Sequence, residues 1–236
     1  MMKDTLYLKD SYIKQFATKV VEANDKFVFL DKTAFYPTSG GQQNDTGVMK
    51  TISGEYKVVS CRKIDGKISH EVDKPGLKIG DNVHCSIDWD RRYKLMRCHT
   101  AAHVLSQVIH KETGAMITGG NIDLDKCKID FSLETYSAEK MKDYVEEANR
   151  ILEQDLVVSI KFMPRSEVEK MPQLSKLAKG LPEGLNVLRI LSIGDFDMQV
   201  DGGTHVKFTN EVGKIIFIGC ENKGKDRRRL YYTVND

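Results

Sequence analysis

The spacing of apolar residues changes at Trp89-Asp90, and no other feature of the chain constrains the fold more. Before this point, short runs rich in Val, Ile, Phe and Thr alternate with turn signals built on Asp, Asn, Pro and Gly. Runs of this length and spacing are typical of a small barrel or sandwich. After it, apolar residues recur at helical intervals. We therefore predict an α+β protein. Residues 1–89 form a small N-terminal β-barrel domain, and residues 90–236 form an α+β domain whose mixed or antiparallel sheet packs on helices.

Four strands of the first domain are predicted from runs of β-branched and aromatic residues. They cover residues 17–23, 27–31, 56–62 and 82–88. The segment 36–42 interrupts this pattern, because its Gly40-Gly41 pair is unsuited to the interior of a strand. We interpret this segment as a specialised glycine-rich loop.

The second domain is predicted to begin with a helix that Asp90 caps and that continues to about Glu112. A second helix begins after Ser137, and a third, over residues 166–179, is interrupted by Pro172. Strands are predicted at residues 128–133, 156–162 and 187–193, and a hairpin at residues 214–220 and 228–234.

The composition excludes several classes of protein. The 236 residues are 40% hydrophobic and 30% charged, which is ordinary for a soluble protein with a substantial core. No stretch approaches the roughly 18 apolar residues of a membrane span, and the charged N-terminal segment does not resemble a signal peptide. A cytoplasmic protein without a membrane partner is therefore predicted. The five cysteines are widely spaced and include no CxxC pair, which argues against a disulfide framework or a thiolate zinc finger.

Three histidines, His99, His103 and His110, share one face of the first predicted helix. His99 and His103 are one turn apart, so their Cβ atoms lie about 5–6 Å from each other and both imidazoles can reach one metal ion. His110 lies about 10 Å further along the helix, too far to join them, and we interpret it as structural. A pair of this kind is by itself more often two unrelated histidines than a ligand pair.

A distant turn with the sequence DGGTH, residues 201–205, contains the other candidate ligands. Its two glycines allow a tight backbone that directs Asp201 and His205 the same way, although an ordinary β-turn has a similar sequence. Because Thr100 follows His99, the helix does not match the HExxH pattern of metalloproteases, in which the glutamate is the base. The histidines and the carboxylate together suit Zn²⁺, which accepts nitrogen and oxygen ligands in tetrahedral geometry.

The C-terminal region contains a cluster of basic residues. Its members are Lys223, Lys225, Arg227, Arg228 and Arg229. Such a cluster either contacts phosphate groups without reading base sequence or forms the solvated tip of a hairpin. The net charge of +2 and the pI of about 8.2 do not decide between these interpretations, because a nucleic-acid-binding domain is expected to have a pI above ~9.

The sequence HTAAH at residues 99–103, followed by GGTH at 202–205, resembles the paired HxxxH and CGGTH motifs of the alanyl-tRNA editing domain. That domain occurs within alanyl-tRNA synthetases and in free-standing AlaX proteins. Further segments resemble the family in the same order, at residues 35–47, 88–96, 120–131 and 211–229. The resemblance spans nearly the whole chain, and the length and glycine-rich N-terminal domain resemble the medium-sized AlaX class.

The resemblance implies an aminoacyl-tRNA deacylase that acts in trans on mischarged tRNA, chiefly seryl-tRNA(Ala), with glycyl-tRNA(Ala) as a second candidate. A pocket built for alanine rejects glycine, or an analogue with one added hydroxyl, by only about one or two orders of magnitude, so a second, hydrolytic step is needed. The resemblance also implies a zinc cofactor held by His99, His103 and His205, and the acceptor end of tRNA(Ala) as partner.

Roles for other residues follow from the same resemblance. Thr100 and Thr204 are candidate catalytic residues that could help to recognise a serine hydroxyl, although simple structural roles fit them equally well. Contacts to the substrate tRNA are predicted for Gly40, Gly41, Gln42, Lys223, Lys225 and Arg228.

Asp201 departs from the family pattern, which has cysteine at this position. Gln199, two residues earlier, still fits the local pattern, so a misaligned motif does not explain the difference. Asp201 could be a substitute ligand, harder than a thiolate and with a shorter bond to the metal. It could instead lie outside the ligand shell, or the site could bind metal weakly or not at all. We favour the first interpretation and include Asp201 among the candidate catalytic residues.

Three other functions stay open at this point. Threonyl-type editing of seryl-tRNA uses a related HxxxH and CxxxH site, but the glycine-rich segment and Gly202-Gly203 favour the alanyl family. A non-catalytic relative that lost its chemistry with the cysteine would bind tRNA and leave the ester intact. A small-molecule metallohydrolase would show no salt-dependent binding of tRNA.

Overall fold

The computed structural model describes residues 4–135, 137–171, 174, 176 and 180–235. The chain forms two compact units, Met1–Lys94 and Leu95–Asp236. The boundary predicted between residues 89 and 90 lies at the start of a long helix, and the two units divide just over one turn further along it.

The first unit contains a closed barrel, as predicted from the sequence. Within residues 4–94 its strands are β1 Gln15–Asn24, β2 Phe27–Leu30, β3 Gly47–Thr51, β4 Gly54–Ile64, β5 Lys67–Val72 and β6 Asn82–Ile87. They pair antiparallel in the order β1-β2-β5-β4-β3-β6, and β6 closes the barrel on β1. A short 3-10 helix at Leu6–Leu8 precedes them.

Two barrel strands, β3 and β5, were not predicted from the sequence. The first begins at Gly47, and the second contains Ser69 and His70, which are polar yet buried. Sequence reasoning expects such residues at the surface. His70 is accommodated because its Nε2 lies 2.9 Å from the Thr33 hydroxyl and its Nδ1 lies 3.2 Å from the carbonyl of Val28.

A buried ion pair holds the glycine-rich segment within the first unit. Arg92 and Asp45 are both fully buried, and Arg92 Nε donates to Asp45 Oδ1 at 2.9 Å. Arg92 Nη1 also donates to the carbonyl of Ser11 at 2.8 Å, and the backbone N–H of Tyr36 donates to Asp45 Oδ2 at 2.6 Å. A buried charge that loses its partner is strongly destabilising, so the Arg92–Asp45 pair stays intact in the folded protein. Since Asp45 also binds the backbone of Tyr36, the pair fixes both ends of the segment 36–45.

The long helix α1, Trp89–Thr113, begins one residue before the predicted cap. The prediction that Asp90 caps it is wrong, because Asp90 lies inside the first turn. Asp88 takes that role, and its Oδ1 accepts a hydrogen bond from the backbone N–H of Arg91 at 3.3 Å. Of the helices that the structure describes, none combines the length and the hydropathy needed to cross a membrane.

The second unit combines helices with two antiparallel sheets, which confirms the predicted α+β class. Its remaining elements are β7 Ile117–Asn121, β8 Cys127–Phe131, α2 Ala138–Leu152, β9 Val158–Pro164, α3 Arg165–Val168, β10 Val187–Ile193, β11 Asp197–Val200, β12 Ile215–Asn222 and β13 Arg228–Val234. One sheet has the order β11-β10-β9 and the other has the order β12-β13-β8-β7. Residues of β13 alternate between buried and partly exposed positions, so one face of this sheet packs on the core.

Two strands of this unit were not predicted. The Gly119-Gly120 pair of β7 favours a turn on sequence grounds, and β11 is only four residues long. The helix predicted over residues 166–179 is α-helical only at α3 among its described residues, and Pro172 lies outside the described residues.

Candidate metal centre

Four side chains of the second unit converge on one point. His99 and His103 lie one turn apart on α1, while Asp201 and His205 lie at the two ends of the turn that follows β11. One potential ligand atom from each of the four lies within 4.8 Å of the others. The three histidines are buried, and the Asp201 side chain is 16% exposed. The structure thus brings together all the residues that the sequence predicted as ligands.

The Nε2 atoms of the three histidines face the Asp201 carboxylate. Its Oδ2 lies 2.9 Å from Nε2 of His205. Its Oδ1 lies 3.6 Å from Nε2 of His99 and 3.8 Å from Nε2 of His103. Four ligands about 2.1 Å from a tetrahedral zinc ion are separated by about 3.4 Å. The three distances to Asp201 lie around this value, and one potential ligand atom of each residue lies within 4.8 Å of the others, so the donor set fits zinc if the side chains move slightly closer together.

Two of the histidines have a further contact that orients the imidazole ring. Nδ1 of His205 lies 3.1 Å from the hydroxyl oxygen of Thr100, which is fully buried. Nδ1 of His103 lies 2.8 Å from Nε2 of Gln199 and 3.5 Å from Oδ2 of Asp197. These contacts at Nδ1 direct Nε2 toward the cluster, which is how outer residues orient histidine ligands.

Asp197 and Lys176 form a buried ion pair behind His103, and the sequence analysis did not single them out. The Lys176 ammonium contacts Asp197 Oδ1, and Gln199 Nε2 donates to Asp197 Oδ2 at 2.7 Å. The two paired side chains are 7% and 1% exposed, so the carboxylate is held in a fixed position. The sequence did contain a signal for Asp197. Asp197, Gln199 and Asp201 are alternate residues, and alternate residues of a strand share one face, so this alternation predicts Asp197 on the same side as Asp201.

The backbone of the turn orients the Asp201 carboxylate. The N–H of Gly203 donates to Asp201 Oδ2 at 2.6 Å. Arg189 Nη1 donates to the Asp201 carbonyl at 2.9 Å and lies 3.4 Å from Oδ2. Thr204, between Gly203 and His205, is fully buried. The turn therefore presents a carboxylate and an imidazole to the same point, as its two glycines suggested.

Burial and the local charges set the protonation of the cluster. Burial lowers the pKa of His205 to about 4 and holds the pKa of His99 well below its usual range. Burial also acts to lower the pKa of His103, but the carboxylates of Asp197 and Asp201 beside it outweigh burial and raise the pKa to about 9. Burial acts to raise the pKa of Asp201, yet the histidines hold it well below its usual range. Metals bind neutral imidazole and ionised carboxylate, so of these four groups His103 is the one that must lose a proton.

The glycine-rich segment of the first unit is a two-residue hairpin turn. The N–H of Gln42 donates to the carbonyl of Ser39 at 2.9 Å, and the N–H of Ser39 donates to the carbonyl of Gln42 at 3.2 Å. Gly40 and Gly41 have φ angles of +57° and +85°, which match a type I′ turn. Gln42 is fully buried, so the two glycines form the accessible part of the predicted tRNA contact.

The basic residues predicted to bind phosphate differ in their surroundings. Lys223 and Lys225 are exposed in the loop between β12 and β13, and Lys223 Nζ lies 2.5 Å from a carboxylate oxygen of Glu221. Arg228 is buried, and its guanidinium donates to the carbonyls of Gly224 at 2.6 Å and Lys225 at 3.1 Å. The side chain of Arg228 thus holds the hairpin together, and its contact with tRNA stays a prediction.

Comparisons with known proteins agree with this combination of barrel and cluster. The family described as tRNA synthetases class II (A) matches residues 5–91, and the family described as threonyl and alanyl tRNA synthetase second additional domain matches residues 188–231. The second match contains Asp201 and His205, whereas His99 and His103 lie between the two matches. The chain is thus of a class related to parts of aminoacyl-tRNA synthetases.

Full-length relatives define the family more narrowly. The alanyl-tRNA editing protein AlaX-M of Saccharolobus solfataricus is 44% identical over 99% of this chain and 99% of its own length. AlaX-M of Methanosarcina barkeri is also 44% identical, over 100% of both chains. The alanine–tRNA ligase of Sulfurisphaera tokodaii is 36% identical over 98% of this chain, which corresponds to 26% of the ligase. The chain belongs to the AlaX-M family of alanyl-tRNA editing proteins. The predicted resemblance, and with it the class of aminoacyl-tRNA deacylases, is confirmed.

Proposed function

We propose that this protein hydrolyses the ester bond of mischarged tRNA(Ala), chiefly seryl-tRNA(Ala) and also glycyl-tRNA(Ala), at a zinc ion held by His99, His103, Asp201 and His205. The convergence of three imidazole nitrogens and one carboxylate within 4.8 Å carries the proposal. Relatives named for alanyl-tRNA editing support the substrate. Zinc bound there supplies Lewis acidity and can lower the pKa of a water molecule from 15.7 to about 7.

The chain's own residues orient the ligand set in this proposal. Thr100 holds the ring of His205, and Gln199 with Asp197 holds the ring of His103. Asp201 carries the same single negative charge as the thiolate of the family motif, so the net charge of the ligand set is preserved. The oxygen ligand is harder than sulfur and its bond to zinc is shorter.

Recognition of the wrong amino acid is assigned to the same turn. Serine differs from alanine by one hydroxyl, and a site that hydrogen-bonds a hydroxyl discriminates far better than an apolar pocket does. The Thr100 hydroxyl already lies within hydrogen-bond distance of His205, so we assign it to positioning. Thr204, beside His205 in the turn, is our candidate for contact with the serine hydroxyl, and because it is fully buried this contact requires the turn to move when substrate binds.

Contact with the tRNA is assigned to surface groups of both units. Gly40 and Gly41 expose backbone at the tip of a tight turn, and Lys223 and Lys225 are exposed cations that can reach phosphate. Gln42 and Arg228 maintain the turn and the hairpin from buried positions. A charged tRNA as substrate would place the reaction in the cytoplasm.

The zinc assignment is tested with two substitutions of one residue, Asp201→Ala and Asp201→Cys. Hydrolysis of seryl-, glycyl- and correctly charged alanyl-tRNA(Ala) is measured for each variant, together with zinc content by mass spectrometry. Asp201→Ala removes a ligand, and we expect loss of most zinc and a fall of at least about 100-fold in kcat/KM for seryl-tRNA(Ala). Asp201→Cys restores the family ligand, and we expect it to retain both zinc and activity.

Three further measurements test other parts of the proposal. Full activity in a wild-type sample stripped of metal by a chelator would exclude a role for zinc. A wild-type protein that binds tRNA in a salt-dependent way without hydrolysing the ester, and that gains hydrolysis in Asp201→Cys, would be a relative that lost its chemistry with the cysteine. Comparable hydrolysis of seryl-tRNA(Thr) and seryl-tRNA(Ala) would favour editing of the threonyl type.

A further inference from the structure

One face of the sheet β12-β13-β8-β7 carries a group of cations around the nearly buried carboxylate of Asp130. Arg229 Nε donates to Asp130 Oδ1 at 2.6 Å, and Arg227 Nε donates to Asp130 Oδ2 at 3.0 Å. The Asp130 side chain is only 3% exposed, while that of Arg227 is 48% exposed. Because one carboxylate serves two guanidinium groups, the group retains net positive charge, and both guanidinium groups are held in defined positions.

A second anchor, the ring of Tyr231, lies next to this group. Tyr231 pairs with Lys128 across β13 and β8, as Arg229 pairs with Asp130, so the four side chains share one face of the sheet. Lys126 Nζ lies 4.0 Å from the centroid of the Tyr231 ring, within the range of a cation–π contact. The Arg229 guanidinium lies 5.9 Å from the same centroid. The aromatic ring thus holds cations in place without cancelling their charge.

We propose that Lys126, Lys128, Arg227 and Arg229, called the basic strip here, bind the phosphate backbone of the tRNA. The inference rests on the proposed function, which supplies an RNA partner, and it identifies a surface beyond the hairpin loop. RNA backbone fits because the cations are repeated along two paired strands, at roughly 6.8 Å for alternate residues. Phosphate oxygens accept hydrogen bonds from both arginine and lysine. The carboxylates of this face, Asp130 and Glu221, are each paired with a cation already.

The phase of β13 determines which arginines take part. Residues 228 and 229 are adjacent, so their side chains point to opposite faces of the sheet. Arg228 is buried and holds the hairpin, whereas Arg229 lies on the outer face with Tyr231. The sequence alone does not show which of these two arginines faces outward. The sequence analysis predicted tRNA contact for Arg228, which the structure places on the inner face.

The test compares two double variants of equal charge. Lys126→Gln/Lys128→Gln removes two cations of the basic strip without disturbing Asp130 and its arginines. Lys161→Gln/Lys170→Gln, at exposed positions on β9 and after α3, is the matched control. Binding of uncharged tRNA(Ala) is measured by fluorescence anisotropy at several KCl concentrations. Each lost phosphate contact lowers the slope of log Kd against log salt by about 0.7–0.9.

We expect the strip variant to bind tRNA(Ala) about tenfold more weakly at low salt, with a slope reduced by roughly 1.4–1.8. The control variant should bind like wild type. Wild-type affinity and slope in the strip variant, or equal losses in both variants, would overturn the proposal. Because binding is measured on uncharged tRNA, this result is independent of whether seryl-tRNA(Ala) is the substrate.

Discussion

At position 201 a carboxylate stands where the family motif has a thiolate, and its neighbours make the exchange workable. The N–H of Gly203 and the guanidinium of Arg189 contact Asp201 from the turn and from β10, and three imidazoles contact it from the other side. An ionised carboxylate is costly to bury unless it is paired and hydrogen-bonded. At the scale of single residues, the substitution therefore keeps the charge of the cluster and replaces a soft sulfur with a harder oxygen.

The ion pair behind His103 gives a prediction at this scale. Asp197→Asn keeps the shape of the side chain and removes the charge that faces Nδ1 of His103. We expect zinc affinity, measured by competition with a chromophoric chelator, to fall about 10- to 100-fold, as for other outer-sphere partners of histidine ligands. Asp195→Asn, at an exposed position in the adjoining turn, is the control and should leave the affinity unchanged. An unchanged affinity in a folded Asp197→Asn protein would contradict the positioning role.

At the scale of elements, the glycine-rich hairpin shows what the glycines do locally. Gly40 has a φ of +57°, and a Cβ added there would meet no atom within 4 Å. The choice of residue at position 40 is therefore limited by the backbone conformation and not by steric contact with neighbouring atoms. The chain that follows the turn is held by the Arg92–Asp45 pair and by Arg91, whose Nε donates to the carbonyl of Asn44 at 2.9 Å.

Two substitutions of Gly40 separate backbone strain from tRNA contact. Gly40→Val places a β-branched residue in the left-handed region, and we expect the barrel unit to lose about 1–2 kcal/mol of unfolding free energy in urea. Gly40→Asn should cost much less, because Asn is common at this position of a type I′ turn. If Gly40→Asn folds normally but binds tRNA(Ala) more weakly, the tip contacts the substrate. Equal stability of the two variants would contradict the positive φ angle.

At the scale of the whole molecule, the stability of the barrel unit is linked to pH through His70. Burial lowers the pKa of His70 to about 4, partly offset by its bond to the Val28 carbonyl. In the unfolded chain the pKa is about 6.5. Between these values the unfolded chain binds a proton that the folded chain does not. The contribution of His70 is therefore complete above pH 6.5 and is lost as the pH falls toward 4, up to about 3 kcal/mol.

This linkage is measured by urea unfolding at several pH values, followed by the fluorescence of Trp89, the single tryptophan, which belongs to the first unit. Wild type should lose stability steeply between pH 6.5 and 4, and His70→Gln should show a shallower loss over the same window. His84→Gln, at an exposed position on β6, should keep the wild-type slope. Parallel pH profiles for wild type and His70→Gln would show that His70 does not remain neutral in the folded barrel.

Much of the candidate site could be predicted before the structure. The one-turn spacing of His99 and His103 depends only on helix geometry, and the two glycines of the DGGTH segment predict a tight turn. The barrel and the antiparallel α+β unit also follow from local patterns of apolar residues. The strands β3, β5, β7 and β11 could not be predicted in this way, because each is short, glycine-containing or polar and is stabilised mainly by its partners.

The sequence by itself determined the motifs, the residue types and the order of elements, because these depend on interactions between near neighbours in the chain. Tertiary structure decided which side chains meet. It brought Asp201 to the three histidines, placed Asp197 and Lys176 behind His103, and selected Arg229 over Arg228 for the outer face. These outcomes depend on contacts between residues far apart in sequence and on the phase of each strand, where a shift of one residue reverses every side chain.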